Sequence, residues 1–166
     1  MKIRPIQSLV TGIAFLFLAL VLFQCTSSKK VIAIGPGDAL NMIQAHEFKF
    51  VAESVTPLRG RMRHLTSLYD VMVKKDSLVS YLPYFGRAYQ APINSSEGGI
   101  QFTSTQFSYE VTNDKRNSWN VSIKPGTQRD VEQFLFTIFD NGTATLSVTS
   151  TYRDPISFYC SIQKTE

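Results

Sequence analysis

Two hydrophobic patterns divide the chain: a continuous apolar run near its start, and an alternation of apolar and polar residues after Phe48. The run extends from Leu9 to Phe23 and is followed by a cysteine, Cys25. From Phe48 onward, apolar residues recur at every second position, which is the pattern of a β-strand with one buried face. The sequence therefore predicts an N-terminal targeting segment followed by a β-rich body.

The alternation predicts about eight to nine strands with short connections. Pro57 and Gly60 interrupt the first strand, and Asn141-Gly142 is a strong hairpin signal because both residues tolerate positive φ. The predicted strands lie near residues 48–53, 68–73, 78–82, 100–102, 107–111, 119–123, 134–138, 144–148 and 155–162. This spacing favours a mainly β fold, a single antiparallel β-barrel or sandwich, in which sequence neighbours pair.

One short helix precedes the strands. Asp38 can cap a helix from about Ala39 to His46, with Leu40, Ile43 and Met42 on its buried side. The residues that separate the strands predicted at 78–82 and 100–102 form the longest loop, from Pro83 to Gly99. Long ordered loops often carry function.

The first 24 residues are interpreted as a bacterial lipoprotein signal peptide. Lys2 and Arg4 precede the apolar run, and a positive head, an apolar middle and a cysteine at the cut are typical of such signals. The run has about 15 residues, whereas a membrane-spanning helix needs about 20. Leu22-Phe23-Gln24 before the cysteine fits the pattern only in part, so an uncleaved anchor and ordinary secretion stay open as alternatives.

This interpretation sets the domain boundaries. Residues 1–24 are the signal peptide, residues 25–36 are the lipidated cysteine and a tether, and residues 37–166 are one β-rich domain. Acyl chains on Cys25 would hold the protein at a membrane of the bacterial cell envelope. The tether carries basic Lys29 and Lys30 and no acidic residue, which favours the periplasmic side over display on the cell surface.

Charge and cysteine content narrow the function classes. The formal net charge is +4, and Lys2 and Arg4 account for two of these charges, so the mature part carries only +2. So mild a charge argues against nucleic-acid binding. Cys25 and Cys160 are the two cysteines of the sequence. If Cys25 is acylated, Cys160 has no partner for a disulfide, and its position among apolar residues predicts a buried thiol.

Several stretches together resemble a known family. They are Ser80 to Tyr89, Gly98 to Phe102, Asn141 to Leu146 and Ile156 to Tyr159. In this order they resemble the domain of unknown function 4251, a family of small Bacteroides-type envelope lipoproteins, over nearly the whole mature chain. The resemblance implies an envelope location and a β-rich fold. It implies no activity and no catalytic residues.

An aromatic segment is the first candidate binding surface. Tyr81, Tyr84, Phe85 and Tyr89 surround Pro83 and Gly86, and Trp119 is the single tryptophan of the chain. Aromatic rings with one polar edge suit glycans and amphipathic ligands. The alternative interpretation is a structural corner in which the rings plug the end of the core.

Three alternating arginines are the second candidate. On an extended segment Arg59, Arg61 and Arg63 would point to one side, with His64 on the other. Such a stripe could bind phosphate or sugar-acid groups through paired hydrogen bonds. A solvated surface that aids solubility is the alternative.

Catalytic patterns are missing from the sequence. His46 and His64 fall in different predicted elements, and no motif for a metal, a cofactor or a catalytic nucleophile is present. We therefore expect a non-enzymatic, lipid-anchored binding or accessory module of the envelope. Its partners would be the membrane, through Cys25, and a small amphipathic or glycan ligand or an envelope protein. An assembly factor that acts through protein contacts and, less favoured, a hydrolase with scattered residues are the alternatives.

Overall fold

Nine antiparallel strands form one sheet in the described part of a computed structural model, which covers residues 37–90, 98–114, 117–126 and 130–165. The strands follow the alternating segments, so the predicted mainly β fold and the number of strands are confirmed. Their bounds are β1 (Phe48–Pro57), β2 (Arg63–Val73), β3 (Leu78–Leu82), β4 (Ile100–Ser104), β5 (Phe107–Asp114), β6 (Ser118–Pro125), β7 (Val131–Phe139), β8 (Thr143–Ser150) and β9 (Ile156–Gln163).

The strand order closes the sheet into a nearly complete barrel. It runs β4-β3-β2-β1-β9-β8-β7-β6-β5, and every pairing is antiparallel. The first and ninth strands of such an order run in the same direction. Only Thr105 and Gln106 separate β4 from β5, so these two strands are successive halves of one bent chain path.

The bend at Gln106 is fixed by hydrogen bonds. The carbonyl oxygen of Gln106 accepts the backbone N–H of Gly126 at 2.8 Å and the hydroxyl of Ser104 at 2.8 Å. The half before the bend pairs with β3, and the half after it pairs with β6. The two edge strands of the sheet, β4 and β5, therefore belong to one continuous stretch of chain. In this way the barrel nearly closes although β4 and β5 do not pair with each other.

Inward-facing side chains fill the barrel. Phe48 and Phe50 of β1 pack edge-to-face on Phe136, and Phe134 stacks between Phe136 and Phe102 of β4. The fully buried set extends around the sheet and includes Val71, Leu78, Leu82, Val121, Ile123, Ile138, Leu146, Val148, Ile156, Phe158 and Ile162. The interior is thus a packed hydrophobic core.

Cys160 belongs to this core. Its side chain is buried, and its Sγ donates to the carbonyl oxygen of Ala144 at 3.1 Å. Burial raises the pKa of the thiol, because the low-dielectric interior disfavours a thiolate. The expected buried thiol is confirmed.

Helix α1 (Asp38–Ala45) lies at the end of the barrel where β1 begins. Ala39, Met42 and Ile43 are buried, and Leu40, expected inside, is only half-buried. The N-cap is Gly37 and not Asp38, because the helix begins at Asp38, one residue earlier than predicted; Gly37 has a left-handed conformation with φ 91°. Its N–H donates to Asp140 at 3.0 Å, which ties the helix to the β7–β8 turn.

A β-bulge changes the expected bounds of the first hairpin. The pairing of β1 shifts between Ala52 and Ser54, so the inward face continues at Val55 and Pro57. The predicted strand ended near residue 53, whereas β1 continues to Pro57, because the bulge moves the alternation by one residue. Pro57 ends the strand, as expected, and pairs with Ile156. β2 likewise begins at Arg63, five residues before the predicted start.

The β7–β8 hairpin is present at the predicted place. Gly142 has φ 81°, whereas Asn141 does not have a positive φ. The loop therefore contains three residues, Asp140 to Gly142, with glycine at the left-handed position. Asn141 accepts the N–H of Thr143 at 3.0 Å and its hydroxyl at 2.7 Å.

Some predictions fall on residues outside the described ranges. These are the signal peptide, Cys25, the tether up to residue 36, and residues 91–97 of the long loop. In the described part of the chain, no helix has the length and apolar character to cross a membrane.

The aromatic core predicts a large difference between neighbouring positions of β7. Phe136→Ala should lower the free energy of unfolding by about 3–5 kcal/mol, because it removes a buried ring that contacts Phe48, Phe50 and Phe134. Leu135→Ala, at the exposed neighbouring position, should change it by less than about 0.5 kcal/mol. Urea denaturation of both variants measures the contrast, and equal losses would contradict the packed interior.

Candidate functional site

Two of the sequence candidates meet at the end of the barrel opposite helix α1. The loop between β1 and β2 and the chain that follows β3 enclose an open pocket of about 240 Å³. We call residues 58–63 the arginine loop. The pocket is lined by Pro57, Arg59, Gly60, Arg63, Phe85 and Gly86. Arginines and an aromatic residue that were predicted as separate sites therefore share one concavity.

Not all of the arginines take the predicted positions. Arg59 and Arg61 lie in the loop, whereas Arg63 is the first residue of β2. Arg59 and Arg63 line the pocket, and Arg61 does not. A uniform stripe was expected from an extended segment, and the turn at Gly60 breaks that geometry. The guanidinium carbon of Arg63 lies 5.5 Å from the ring centroid of Phe85, a cation–π contact that orients its charge.

The wall of the pocket is held by a second group of contacts, which we call the corner (residues 84–89 and 152–154). The hydroxyl of Tyr84 lies 2.9 Å from the carbonyl oxygen of Arg87 and 3.1 Å from that of Asp154, and it can donate to either. The N–H of Asp154 donates to the carbonyl oxygen of Arg87 at 3.0 Å. Tyr84 thus serves as a brace behind Phe85 and Gly86.

Gly86 allows this brace to pack closely. A Cβ on Gly86 would lie 2.5 Å from the hydroxyl oxygen of Tyr84 and 2.8 Å from its Cζ. Both distances are too short for non-bonded atoms. A side chain at this position would therefore displace the ring of Tyr84.

Asp154 is a buried carboxylate partnered by tyrosine. The hydroxyl of Tyr89 donates to its Oδ1, and this bond raises the pKa of Tyr89 because deprotonation would place two negative charges together. Arg59 and Arg87 act in the opposite direction on the pKa of Tyr89. Both guanidinium groups are therefore near enough to influence the hydroxyl. The pKa of Tyr84 is also raised, chiefly by burial and then by the charge of Asp154.

Arg153 connects the corner to the opposite wall of the barrel. Its Nε lies 2.8 Å from Oδ2 of Asp130, and its Nη1 donates to the carbonyl oxygen of Gly99 at 3.1 Å. Its guanidinium carbon also lies 5.1 Å from the ring centroid of Tyr84. The guanidinium group of Arg153 is thus held by an ion pair and a hydrogen bond within the fold, whereas the arginines of the loop have no ion pair in the described ranges.

Among the described residues, no acidic side chain forms an ion pair with the arginine loop. The ion pairs in the described ranges join Lys49 to Asp70, Lys75 to Glu47 and Arg153 to Asp130. None of these involves the arginine loop or the exposed Arg87. The concavity at this end of the barrel is therefore cationic, with one aromatic wall.

The other predicted aromatic residues lie elsewhere. Tyr81 is an exposed residue of β3 opposite Asp70, and its ring stacks on Tyr69 at 5.7 Å. Tyr89 is exposed at the corner. Trp119 of β6 is half-buried at the helix end of the barrel, where it lines a separate open pocket of about 310 Å³ with Gly37, Leu40, Asn113, Asn117 and Asp140. The five candidate residues do not form one surface.

The histidines are also apart. His46 ends helix α1 and stacks on Tyr109 at 3.9 Å, whereas His64 lies on β2 opposite Ser54. In the described ranges, no three His, Cys, Asp or Glu side chains are grouped in a way that could hold a metal ion.

Sequence reasoning missed several residues of this end of the barrel. Leu58 and Met62, in the arginine loop, are large apolar residues that remain exposed. The sequence already showed that each of these two apolar residues stands beside an arginine. Arg153 and Asp154 gave no local signal, because their partners Gly99 and Tyr89 are distant in sequence.

The fold defines the class first: a small, nearly closed antiparallel β-barrel with a filled interior. The sequence profile of DUF4251, described as a domain of unknown function, matches residues 37–162, and the chain belongs to this family. A crystal structure of a DUF4251 family protein from Bacteroides eggerthii is similar, with a TM-score of 0.58 and 19% sequence identity. The similarity covers 80% of this chain and 89% of that one. A search of curated proteins finds no match.

The close packing at Gly86 gives a prediction for the corner. Gly86→Ala should lower the free energy of unfolding by about 1–3 kcal/mol, because the added methyl group displaces Tyr84 from its two carbonyl acceptors. Gly98→Ala is the matched control, since a Cβ there meets nothing within 4 Å. Thermal denaturation compares the two, and a Gly86→Ala protein as stable as the control would disprove the role of Tyr84 as a brace.

Proposed function

We propose that the protein is a lipid-anchored, non-enzymatic module of the bacterial cell envelope that binds anionic groups at the arginine loop. The observation that carries this proposal is the pocket shared by Arg59, Arg63 and Phe85. Cations on an aromatic wall fit a ligand that combines a phosphate or carboxylate with an apolar face, such as a phosphorylated lipid headgroup or an acidic sugar.

The filled barrel supports a surface site over an internal one. A barrel that carries a lipid or a cofactor inside needs a hollow interior. Here the core positions are occupied by large aromatic and aliphatic side chains, among them Phe48, Phe134 and Phe136. The described concavities lie at the two ends of the barrel. The one lined by Arg59 and Arg63 has the residues that bind anions, so it is the preferred site.

The anchoring part of the proposal rests on the sequence. The apolar run that ends at Cys25 supports acylation of this residue, and a tether would then connect the lipid to Gly37. The cationic loop lies at the other end of β1, which has ten residues and spans about 33 Å. The tether and the binding site thus belong to opposite ends of the domain.

An assembly factor is less well supported. In the spatial order of the described strands, β4 and β5 are terminal, so their outer edges are the natural sites for an added strand. The exposed face of β5 carries Ser108, Glu110, Thr112 and Asp114. Polar and charged residues of this kind are typical of an edge that is protected against pairing. We therefore prefer ligand binding to strand addition.

Anion binding is tested with arginine variants. At low ionic strength, inorganic phosphate and digalacturonate should shift the NMR signals of the Gly60 and Gly86 amides, which border the pocket. Arg59→Gln/Arg63→Gln should weaken binding at least about tenfold, since hydrogen bonds to charged groups contribute about 1.5–3 kcal/mol each. Arg61→Gln, outside the pocket, is the control. A loss as large for Arg61→Gln, or no shift in the native protein, would contradict the proposed site.

Lipid anchoring is tested with a cysteine variant. Cys25→Ala should move the protein from the membrane fraction to the soluble fraction, because it removes the attachment point for acyl chains. Cys160→Ala should stay in the membrane fraction, because that thiol is buried in the core. Sedimentation followed by mass spectrometry of the amino terminus provides the measurement. A Cys25→Ala protein that remains with the membrane would show that the segment from Leu9 to Phe23 anchors it alone.

A further inference from the structure

The arginine loop combines positive charge with exposed apolar side chains. Leu58 is 60% exposed and Met62 is 58% exposed, although both are large hydrophobic residues. They stand in a segment of six residues that also contains Arg59, Arg61 and Arg63. Solvation explains the arginines of such a loop, but it does not explain the two apolar side chains.

A membrane surface accounts for both kinds of residue. At a bilayer interface, arginine guanidinium groups bind the phosphates of anionic headgroups, and apolar side chains enter the boundary between headgroups and acyl chains. Each arginine near an anionic surface strengthens partition about fivefold. Three arginines and two apolar residues on one loop match the two kinds of contact that an anionic bilayer surface offers.

The corner gives this loop a firm base. Tyr84 braces the chain behind Phe85 and Gly86, and Phe85 contacts the guanidinium group of Arg63. The pocket bordered by Arg59 and Arg63 can receive a phosphate, and the exposed side chains of Leu58 and Met62 do not line it. Preformed geometry of this kind reduces the entropy that binding would otherwise cost.

We infer that the arginine loop docks on an anionic membrane surface, with a lipid phosphate in the pocket of Arg59 and Arg63 and with Leu58 and Met62 in the interfacial layer. This inference rests on the proposed function and specifies its ligand. An acidic polysaccharide would satisfy the arginines, but it offers no apolar layer for Leu58 and Met62.

The tether is long enough for the loop to reach the membrane that holds the anchor. From Cys25 to Gly37 the chain spans at most about 40 Å, and the loop lies about 33 Å from the Gly37 end of the barrel. A domain held at one end by acyl chains can therefore lie against the same surface through its other end. Tethering raises the effective concentration of the loop at that surface, so a weak contact suffices.

The single tryptophan of the chain allows a direct test. The full chain is reconstituted in vesicles of phosphatidylcholine alone, or of phosphatidylcholine with one third phosphatidylglycerol. Met62→Trp/Trp119→Phe moves the only tryptophan to the loop. Its emission should shift to shorter wavelength and be quenched by acyl-brominated lipids in the anionic vesicles only. The native chain is the control, because Trp119 at the opposite end of the barrel should respond equally in both vesicles.

Variants added to the reporter separate the inference from the proposed function. Added to Met62→Trp/Trp119→Phe, the change Arg59→Gln/Arg63→Gln should abolish the emission shift in anionic vesicles, and high salt should do the same. Leu58→Ser should reduce this shift. One outcome is that the tryptophan emission of Met62→Trp/Trp119→Phe is the same in both kinds of vesicle while phosphate still shifts the amide signals of Gly60 and Gly86. This outcome overturns the membrane inference and leaves the anion-binding site in place. If the blue shift survives Arg59→Gln/Arg63→Gln and phosphate does not bind, both are overturned.

Discussion

Close packing of aromatic side chains inside the barrel is the constraint on which the rest of the structure depends. Phe136 contacts Phe48 and Phe50 from β1, and Phe134 reaches Phe102 across the interior. Rings of this size leave no room for a ligand, since protein interiors approach the density of organic crystals. Binding chemistry is therefore confined to the ends and the outer surface. The barrel acts as a rigid support that places loops.

The way in which the barrel is closed differs between its two ends, and this difference leaves one end open for a binding pocket. The bend at Gln106 lets one chain path serve both edges of the sheet, and helix α1 covers the end where Tyr109 donates to the carbonyl oxygen of Ile43 at 2.9 Å. The opposite end has no helix in the described ranges. It is closed by the corner, whose hydrogen bonds join residues about 70 positions apart in the sequence. Long-range contacts of this kind fix the pocket wall more firmly than a local turn would.

The regular parts of the fold could be predicted from the sequence, because alternation is a local property. Each strand of the second half, from β6 to β9, follows residues such as Val121 and Phe136 whose inward positions repeat at every second residue. The start of β2 could not be predicted, because the residues from Arg63 to Leu68 are almost all exposed and show no alternation of buried and exposed positions. The candidate site was recognised only as two fragments, since the contact of Arg63 with Phe85 depends on the fold.

The distribution of charge at the corner explains how the arginine loop stays cationic beside a carboxylate. Asp154 is the buried acid of this region, and in the described ranges it forms no ion pair with Arg59 or Arg87. It accepts a hydrogen bond from Tyr89 instead. A neutral donor meets the hydrogen-bonding need of the carboxylate without holding a guanidinium group in an ion pair, and the raised pKa of Tyr89 keeps that donor protonated. The exposed arginines cost little stability because water solvates them. Their positive charge therefore remains available for an external anion.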